Sequence, residues 1–550
     1  MRFRVDQSVR DYQPYPTERQ AVISLRQVID LVICLILTVI CVRSFIVEGY
    51  MISTGSMAPG LLGYHKRVVC PRCQTEFELG VRFEEGQGLV ESNPTDPKFC
   101  RCPNCDESKI DLSGVPKTQG DQLLVHKNAY FFREPIRWEV VVFRNPRLAT
   151  EAYVKRVLGC PRERVRILTG DVFINGERAR KTLAQCLATE LTVYDDSRRP
   201  TDSDWKSRWT VGNSWSEQPN GFASTKTDEW SWISYNHLLR SGGSHETSVI
   251  VPAEQLAAAK RKFSNGAGSP FVVRNYVEFE RSTSRLIANG VVSDELRDLL
   301  LSTTSDPTFR QQVQRLQQLS QIAPIQDQYG YNSERKTEAV ADIGIELTAS
   351  GNERTGELVI RLSTPHGLFE VAFNLETGAV QLFGHEQNAT VSTGSFQPST
   401  LSKGAKISVR QTDRRIFVVL NNQLLFAPFL IPDGVGAPLA PKPLGFATRG
   451  AQLSVTGIRI TRDIHYTAGR ARNGVNEEFL LGDEEYFVLG DNSPVSDDSR
   501  NWKEAAVHRS NLVGKPFLVH LPSSPKALRF GGGNRYLIRL PDFSRIRYIR

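Results

Sequence analysis

The chain has 550 residues and a mass of 61.7 kDa, enough for three or four compact units at roughly 150 residues each. Its 40% hydrophobic and 23% charged residues, with 41 glycines and 29 prolines, exclude a disordered chain, a collagen-like repeat and a polytopic membrane protein. The net charge of +8 permits contact with anionic lipid or nucleic acid without arguing for either.

The first element is apolar. Leu31 to Val42 (LVICLILTVICV) carries no charge, and with Val28, Ile29, Phe45, Ile46 and Val47 it approaches the ~20 residues that cross a bilayer. About 26 polar residues precede it and no small-residue cleavage site follows, so it reads as an uncleaved anchor rather than a signal peptide. Arg2, Arg4, Arg10, Arg19 and Arg26 outnumber Asp6, Asp11 and Glu18 ahead of it, which places the N-terminus in the cytoplasm by the positive-inside rule. A buried core helix is the competing reading of so short a run.

Next come a short strand, Phe45 to Ile52, and the small-residue turn STGSMAPG at 53 to 60. The stretches LLVHK at 123 to 127, Trp138 to Phe143, Tyr153 to Leu158 and Val172 to Ile174 read as β-strands. A polar seam near Asp195 opens a long region that ends near Asn473. Within it, helices are expected at Ala253 to Phe263 and after Asp306-Pro307, with Phe309, Val313, Leu316 and Leu319 at helical spacing. Strand-like runs at 358 to 362, 368 to 373, 380 to 383 and 416 to 426, the last turning at Asn421-Asn422, suggest a β-sandwich at about 340 to 460. Trp205, Trp209, Trp215, Trp230 and Trp232 suit core packing better than a carbohydrate platform. Asn388-Ala389-Thr390 fits a glycosylation triplet that also arises by chance. The basic, aromatic tail at 534 to 550 either meets anionic lipid or packs on the core.

Three segments bear on chemistry. Ser56 sits in a tight turn nine residues beyond Val47, within roughly 30 Å of the anchor's end. Its hydroxyl needs a base, and none of the nine histidines has a partner motif. Lys155 lies among Tyr153, Val154, Val157 and Leu158. A lysine with an ordinary pKa near 10.4 is neutral only about once in a few thousand at pH 7, so apolar neighbours are a chemical requirement for it to act as a base. The third segment is the polar loop GDNSPVSDDSR at 490 to 500.

In this order behind an anchor, the pieces TGSMAPGLL, GDQLLVHK with PIRWEVVVFRNP, YVKRVLGCPRERV and YFVLGDNSPVSDDSR resemble the type I signal peptidase family. They cover under a third of the chain. The resemblance implies a serine endopeptidase that removes signal peptides from exported preproteins at the outer face of a bacterial-type cytoplasmic membrane. Ser56 is then the nucleophile and Lys155 the general base. Thr54 helps bind the oxyanion, Ser496 hydrogen-bonds the lysine, and Asp498 with Arg500 stabilises the loop. Gly60 stands where the family has Thr or Ser, and Ser493-Pro494 departs from the usual last motif. An anchored glycan- or peptide-binding protein with a decayed core, or a peptidase with one narrow substrate, are the alternatives.

Cys70, Cys73, Cys102 and Cys105 form two C-P-x-C knuckles with the spacing of a closed structural zinc site, disulfides being the competing reading outside the cytoplasm. No cofactor is expected for catalysis. The expected partners are preproteins and membrane lipid, and not nucleic acid.

The expected fold is mainly β. A cytoplasmic arm (1–27) leads to a transmembrane helix (28–47), and catalytic core segments at 48–68, 119–190 and 474–525 follow. A zinc-ribbon-like insertion (69–118) and a large, partly helical insertion (191–473) interrupt them, and a basic tail (526–550) ends the chain.

Overall fold

A computed structural model describes residues 25–82, 96–108, 110–145, 148–202, 205–239, 245–251, 277–280, 283–302, 305–332, 337–352, 355–434, 436–468, 472–530 and 533–549. The helix expected at 253 to 263 lies outside them.

Helix α1 spans Leu25–Phe45, and its apolar window carries none of its surface buried, which removes the buried-core alternative for this segment. It is long and apolar enough to cross a membrane and is compatible with an anchor. The helix ends two residues earlier than the hydropathy run suggests. Ile46 donates to Val42 O at 2.9 Å, and Val47 already opens a strand.

That strand, β1 (Val47–Met51), begins an antiparallel sheet with β2 (Gln122–His126), β3 (Val140–Asn145), β4 (Leu148–Gly159), β5 (Glu485–Leu489), β6 (Ala506–His508) and β7 (Leu512–Val519), in the order β1-β2-β7-β3-β4-β5-β6. Arg547–Tyr548 adds to β7. Segments more than 300 residues apart thus share one sheet. β3, with Val140 to Phe143 buried on both faces, is its spine. The sheet divides its burial between clusters around Leu123, Val125, Val140 and Val519 on one side and around Phe143, Tyr486, Val488 and Trp502 on the other.

Among the described residues, the region from 191 to 462 holds, beside a smaller three-stranded sheet, a sandwich of a nine-stranded and a seven-stranded sheet. It is wider than the span expected from strand spacing: Leu191–Asp195, Gly221–Ser224 and Ser231–Tyr235 pair into it beside the strands of 343 to 462. The short strands near 191 to 235 carry too little alternation to announce their partners. Asn421 and Asn422 take φ of 47° and 67° and turn Arg415–Leu420 back onto Gln423–Leu424, which the left-handed tolerance of asparagine permits. Trp209 and Trp215 are core residues against Phe446, whereas Trp230 and Trp232 lie under the guanidinium groups of Arg449 and Arg361. A helix at Pro307–Ser320 is capped by Asp306, which accepts from Phe309 N at 2.8 Å, and it buries Phe309, Val313 and Leu316. Leu319 points outward instead, because Ser320 occupies the inner position one residue on.

The tail packs on protein. Arg545 pairs with Glu76 and Glu78, and Arg67 with Asp542 at 3.0 Å.

Phe446 is fully buried between the two sheets and touches Trp209, Trp215 and Phe222. Phe446→Ala should therefore cost about 3–5 kcal/mol and lower the thermal midpoint of the sandwich by about 10 °C, measured by calorimetry.

Candidate active site

The turn after β1 is held by its neighbours rather than by its own short sequence. Ile52 N donates to Asp121 O at 2.9 Å, Asp121 N to Leu62 O at 2.8 Å, and Leu62 N to the Asp121 carboxylate at 2.9 Å. Arg547 reaches the same carboxylate at 2.6 Å and Gly60 O at 2.8 Å. A Cβ at Gly120 would lie 1.7 Å from Ile52 O, so glycine is required for this close approach.

Ser56 projects from the middle of the turn, half-buried, and Lys155 reaches it from β4. Lys155 Nζ lies 2.6 Å from Ser56 Oγ. The amine donates in this hydrogen bond when protonated and accepts from the hydroxyl when neutral. The Lys155 residue is 4% exposed. Burial pushes its pKa down to about 8, against the opposing pull of Asp498 and Asp497. Thr54 Oγ1 lies 3.3 Å from Ser56 Oγ, on the open side of the turn.

Alternation along β4 sends the next residue to the opposite face. Arg156 forms a bidentate ion pair with Asp491 at 2.8 and 2.6 Å, fully buried, and donates to Trp138 O at 2.6 Å. This pair ties the lysine strand to the loop of 490 to 500, and β5 carries that loop in register, with Leu489 opposite Arg156. The loop is braced inside by a second buried pair. Arg500 donates to both Asp498 oxygens at 2.9 and 2.8 Å and also to Ser493 O, Ser493 Oγ and Thr467 O. Burial alone would raise the Asp498 carboxyl, but the Arg500 charge and its hydrogen bonds hold it below the usual range. Ser493, the departure noted in the last motif, is thus a ligand of Arg500.

The structure brings Ser56, Lys155 and Thr54 together. Asp498 stands behind them as Arg500's partner. Ser496 is buried beside the site, but its hydroxyl makes no hydrogen bond to Lys155 among the described residues. Gly490 leaves the space for this arrangement, since a Cβ there would lie 2.3 Å from Ser496 Oγ and 2.4 Å from Ser56 O. Sequence reasoning passed over Arg156, Asp121, Asp491 and Asn492. The two Gly-Asp pairs, at 120–121 and 490–491, were their signal: each puts a carboxylate beside a residue that permits close backbone approach.

Cys70, Cys73, Cys102 and Cys105 have buried thiols that all lie within 4.8 Å of one another. Cys70–Cys105 and Cys73–Cys102 sulfur distances are 3.5 and 3.6 Å. A tetrahedral ion with bonds of about 2.3 Å separates its sulfurs by about 3.8 Å, so the donor set fits one. Backbone N–H groups of Asn104 and Cys105 point at Cys102 Sγ, at 3.4 and 3.5 Å. The four sulfurs are unbonded to one another, unlike the disulfide alternative.

The family model "Signal peptidase, peptidase S26" matches residues 113–228 and 453–521, which include Lys155 and the loop of 490 to 500 and leave out Ser56. A signal peptidase I of Leptolyngbya laminosa is 38% identical over 73 residues, 12% of this chain and 36% of that protein. A probable signal peptidase I-2 of Synechocystis sp. is 40% identical over 63 residues, 10% of this chain and 28% of that protein. The chain thus spans about a third or less of the length of these curated relatives. Among solved structures, a carbohydrate-binding module from Bacillus subtilis is similar at 10% identity, covering 46% of this chain and 95% of that one, with a TM-score of 0.22. The Caenorhabditis elegans galectin LEC-6 is similar at 15% identity, covering 22% and 83%, with a TM-score of 0.18.

Replacing Asp498 by Asn leaves Arg500 buried without its counter-charge. The variant should lose about 3–5 kcal/mol in chemical denaturation. It should also move the Lys155 titration further down, because a negative charge that favours the ammonium is gone.

Proposed function

We propose that this chain, which matches the signal peptidase, peptidase S26, family model over residues 113–228 and 453–521, is a membrane-anchored serine endopeptidase that removes signal peptides from exported preproteins. The observation that carries the reading is the 2.6 Å contact between Ser56 Oγ and a buried Lys155 amine. In this reading the preprotein lies extended along the catalytic sheet, its apolar segment still in the bilayer. Neutral Lys155 takes the hydroxyl proton as Ser56 Oγ attacks the scissile carbonyl carbon. The Ser56 N–H and the Thr54 hydroxyl hold the oxyanion of the tetrahedral intermediate. Lys155 then returns the proton to the departing amine, leaving an acyl-enzyme. Water, deprotonated by neutral Lys155, attacks the ester, and Lys155 returns that proton to Ser56 Oγ as the carboxylic acid product leaves.

The 21-residue helix α1 supports a single-pass anchor, and the arginines that precede it support an N-terminus in the cytoplasm with the catalytic sheet on the outer face of a bacterial-type inner membrane. Catalysis needs no cofactor in this mechanism. The four thiolates of Cys70, Cys73, Cys102 and Cys105 would hold zinc as a closed structural site, stabilising the fold without an open position for chemistry. Membrane lipid is the other expected partner, and nucleic acid is not one.

Ser56→Ala and Lys155→Ala should each abolish cleavage of a preprotein with an Ala-X-Ala site, followed by gel shift, while circular dichroism stays that of the wild type. Full cleavage by either variant rejects the dyad. In the wild type, kcat/KM should rise with pH through about 8 and level off above it, because protonated Lys155 cannot accept a proton. Purified protein should carry one zinc per chain by elemental analysis, and chelation should lower its thermal midpoint. Metal-free protein of unchanged midpoint with four reduced cysteines would reject the zinc site.

A further inference from the structure

The catalytic turn is touched by a segment that belongs to the large insertion. Tyr329, Tyr331 and Asn332 lie between a helix of the insertion and its sandwich, yet each makes a polar contact to the loops of the dyad. Asn332 and Asn492 form a reciprocal amide pair: Asn332 Nδ2 donates to Asn492 Oδ1 at 2.7 Å, and Asn492 Nδ2 to Asn332 Oδ1 at 2.9 Å. Asn492 in turn grips both carbonyls that flank the Ser56 amide. Its backbone N–H donates to Ser56 O at 3.0 Å and its side-chain Nδ2 to Gly55 O at 2.9 Å. One asparagine thus bonds both the Ser56 turn and Asn332.

The rest of the segment supports the same job. The Tyr331 ring lies on Gly55 so closely that a Cβ at 55 would come within 2.2 Å of it, and it packs with Ala58 and Leu62. Its hydroxyl donates to Tyr64 O at 2.9 Å, while its carbonyl accepts from Gly80 N at 2.8 Å. Tyr329 donates to Asp491 O at 2.8 Å beneath the Arg462 guanidinium, and Arg462 also donates to Gln328 O at 3.0 Å. The segment is thus pinned to the sandwich strand that carries Arg462 and to the cysteine-bearing insertion through Gly80. Among the described residues, its hydrogen bonds to the loops of Ser56 and Asp491 run to backbone carbonyls and to Asn492.

We propose that Asn332, with Tyr331 behind it, is a positioning residue for the Ser56 nucleophile, so that the catalytic turn is completed by the insertion and not by the core alone. The proposal rests on the Ser-Lys peptidase reading for its kinetic consequence and on geometry alone for its structural one. A misplaced nucleophile loses rate at the chemical step, and a displacement of about 1 Å costs on the order of 100-fold.

Two measurements on the full-length chain in detergent test this. In preprotein cleavage, Asn332→Ala should lower kcat about 10- to 100-fold with KM within about twofold and the kinetic pKa still near 8. Asn492→Ala should give a similar loss, and the double variant no larger a loss than either alone, since the two amides act as one unit. A wild-type kcat in Asn332→Ala, or losses that multiply in the double variant, overturns the proposal. Hydrogen exchange over residues 53–62 requires no substrate: Asn332→Ala should exchange at least about tenfold faster there while residues 343–350 of the sandwich stay unchanged. Unchanged exchange over 53–62 overturns the proposal whether or not the chain cleaves preproteins. Absence of cleavage by the wild type, with faster exchange in the variant, would reject the peptidase reading alone.

Discussion

The 2.6 Å contact between the buried Lys155 amine and the Ser56 hydroxyl is the interaction on which the proposed chemistry depends. An ammonium in water would be charged at neutral pH all but about once in a few thousand times. Burial lowers the Lys155 pKa to about 8, which raises the neutral fraction that the proposed base needs. That shift toward the neutral amine comes from desolvation. The surrounding carboxylates Asp498 and Asp497 oppose it, so their charge must be met elsewhere. Arg500 does this for Asp498 through a bidentate pair that is itself buried. The strand that carries Lys155 therefore sits between two buried ion pairs, Arg156–Asp491 and Arg500–Asp498, which fix the loop of 490 to 500 while leaving the amine dry.

The architecture around this contact solves a problem of chain distance. The proposed nucleophile Ser56, the proposed base Lys155 and the loop of 490 to 500 lie far apart in the sequence. One antiparallel sheet gathers them by placing β1, β4 and β5 in a common frame. Glycines at 120 and 490 then let the connecting loops approach to within hydrogen-bonding distance of their neighbours. The sandwich hangs from this frame between the small sheet that includes Arg164–Leu168 and the return to β5, and its segment at 329 to 332 comes back to touch the turn of Ser56.

Much of this was legible from residue order. The apolar run before Ser56, the apolar neighbours of Lys155 and the polar loop ending in Arg500 each state a local requirement of the chemistry. The paired C-P-x-C knuckles state theirs by spacing. The hairpin at Asn421-Asn422 and the helix behind Asp306-Pro307 follow from local backbone preference. What could not be read was long-range pairing. Nothing in Leu191–Asp195 or Gly221–Ser224 announces a partner in Ser454–Arg462, because short strands of mixed polarity carry no register. Nothing local pairs Arg156 with Asp491 until strand alternation is combined with the position of the loop of 490 to 500. Asn332 and Asn492 are ordinary loop residues in isolation, and only their mutual geometry gives them a role. Ser496 shows the converse: its motif position implied a bond to the lysine, whereas its hydroxyl is buried without one among the described residues.

The protonation of Lys155 can be followed directly, by carbon and nitrogen NMR of lysine side chains labelled at Cε and Nζ, with Lys155→Arg used to assign the resonance. A midpoint near 8, more than two units below that of the exposed lysines, is expected for an amine held dry beside Ser56. A midpoint near 10.5 would mean a solvated ammonium at that position, and the serine would then have no base.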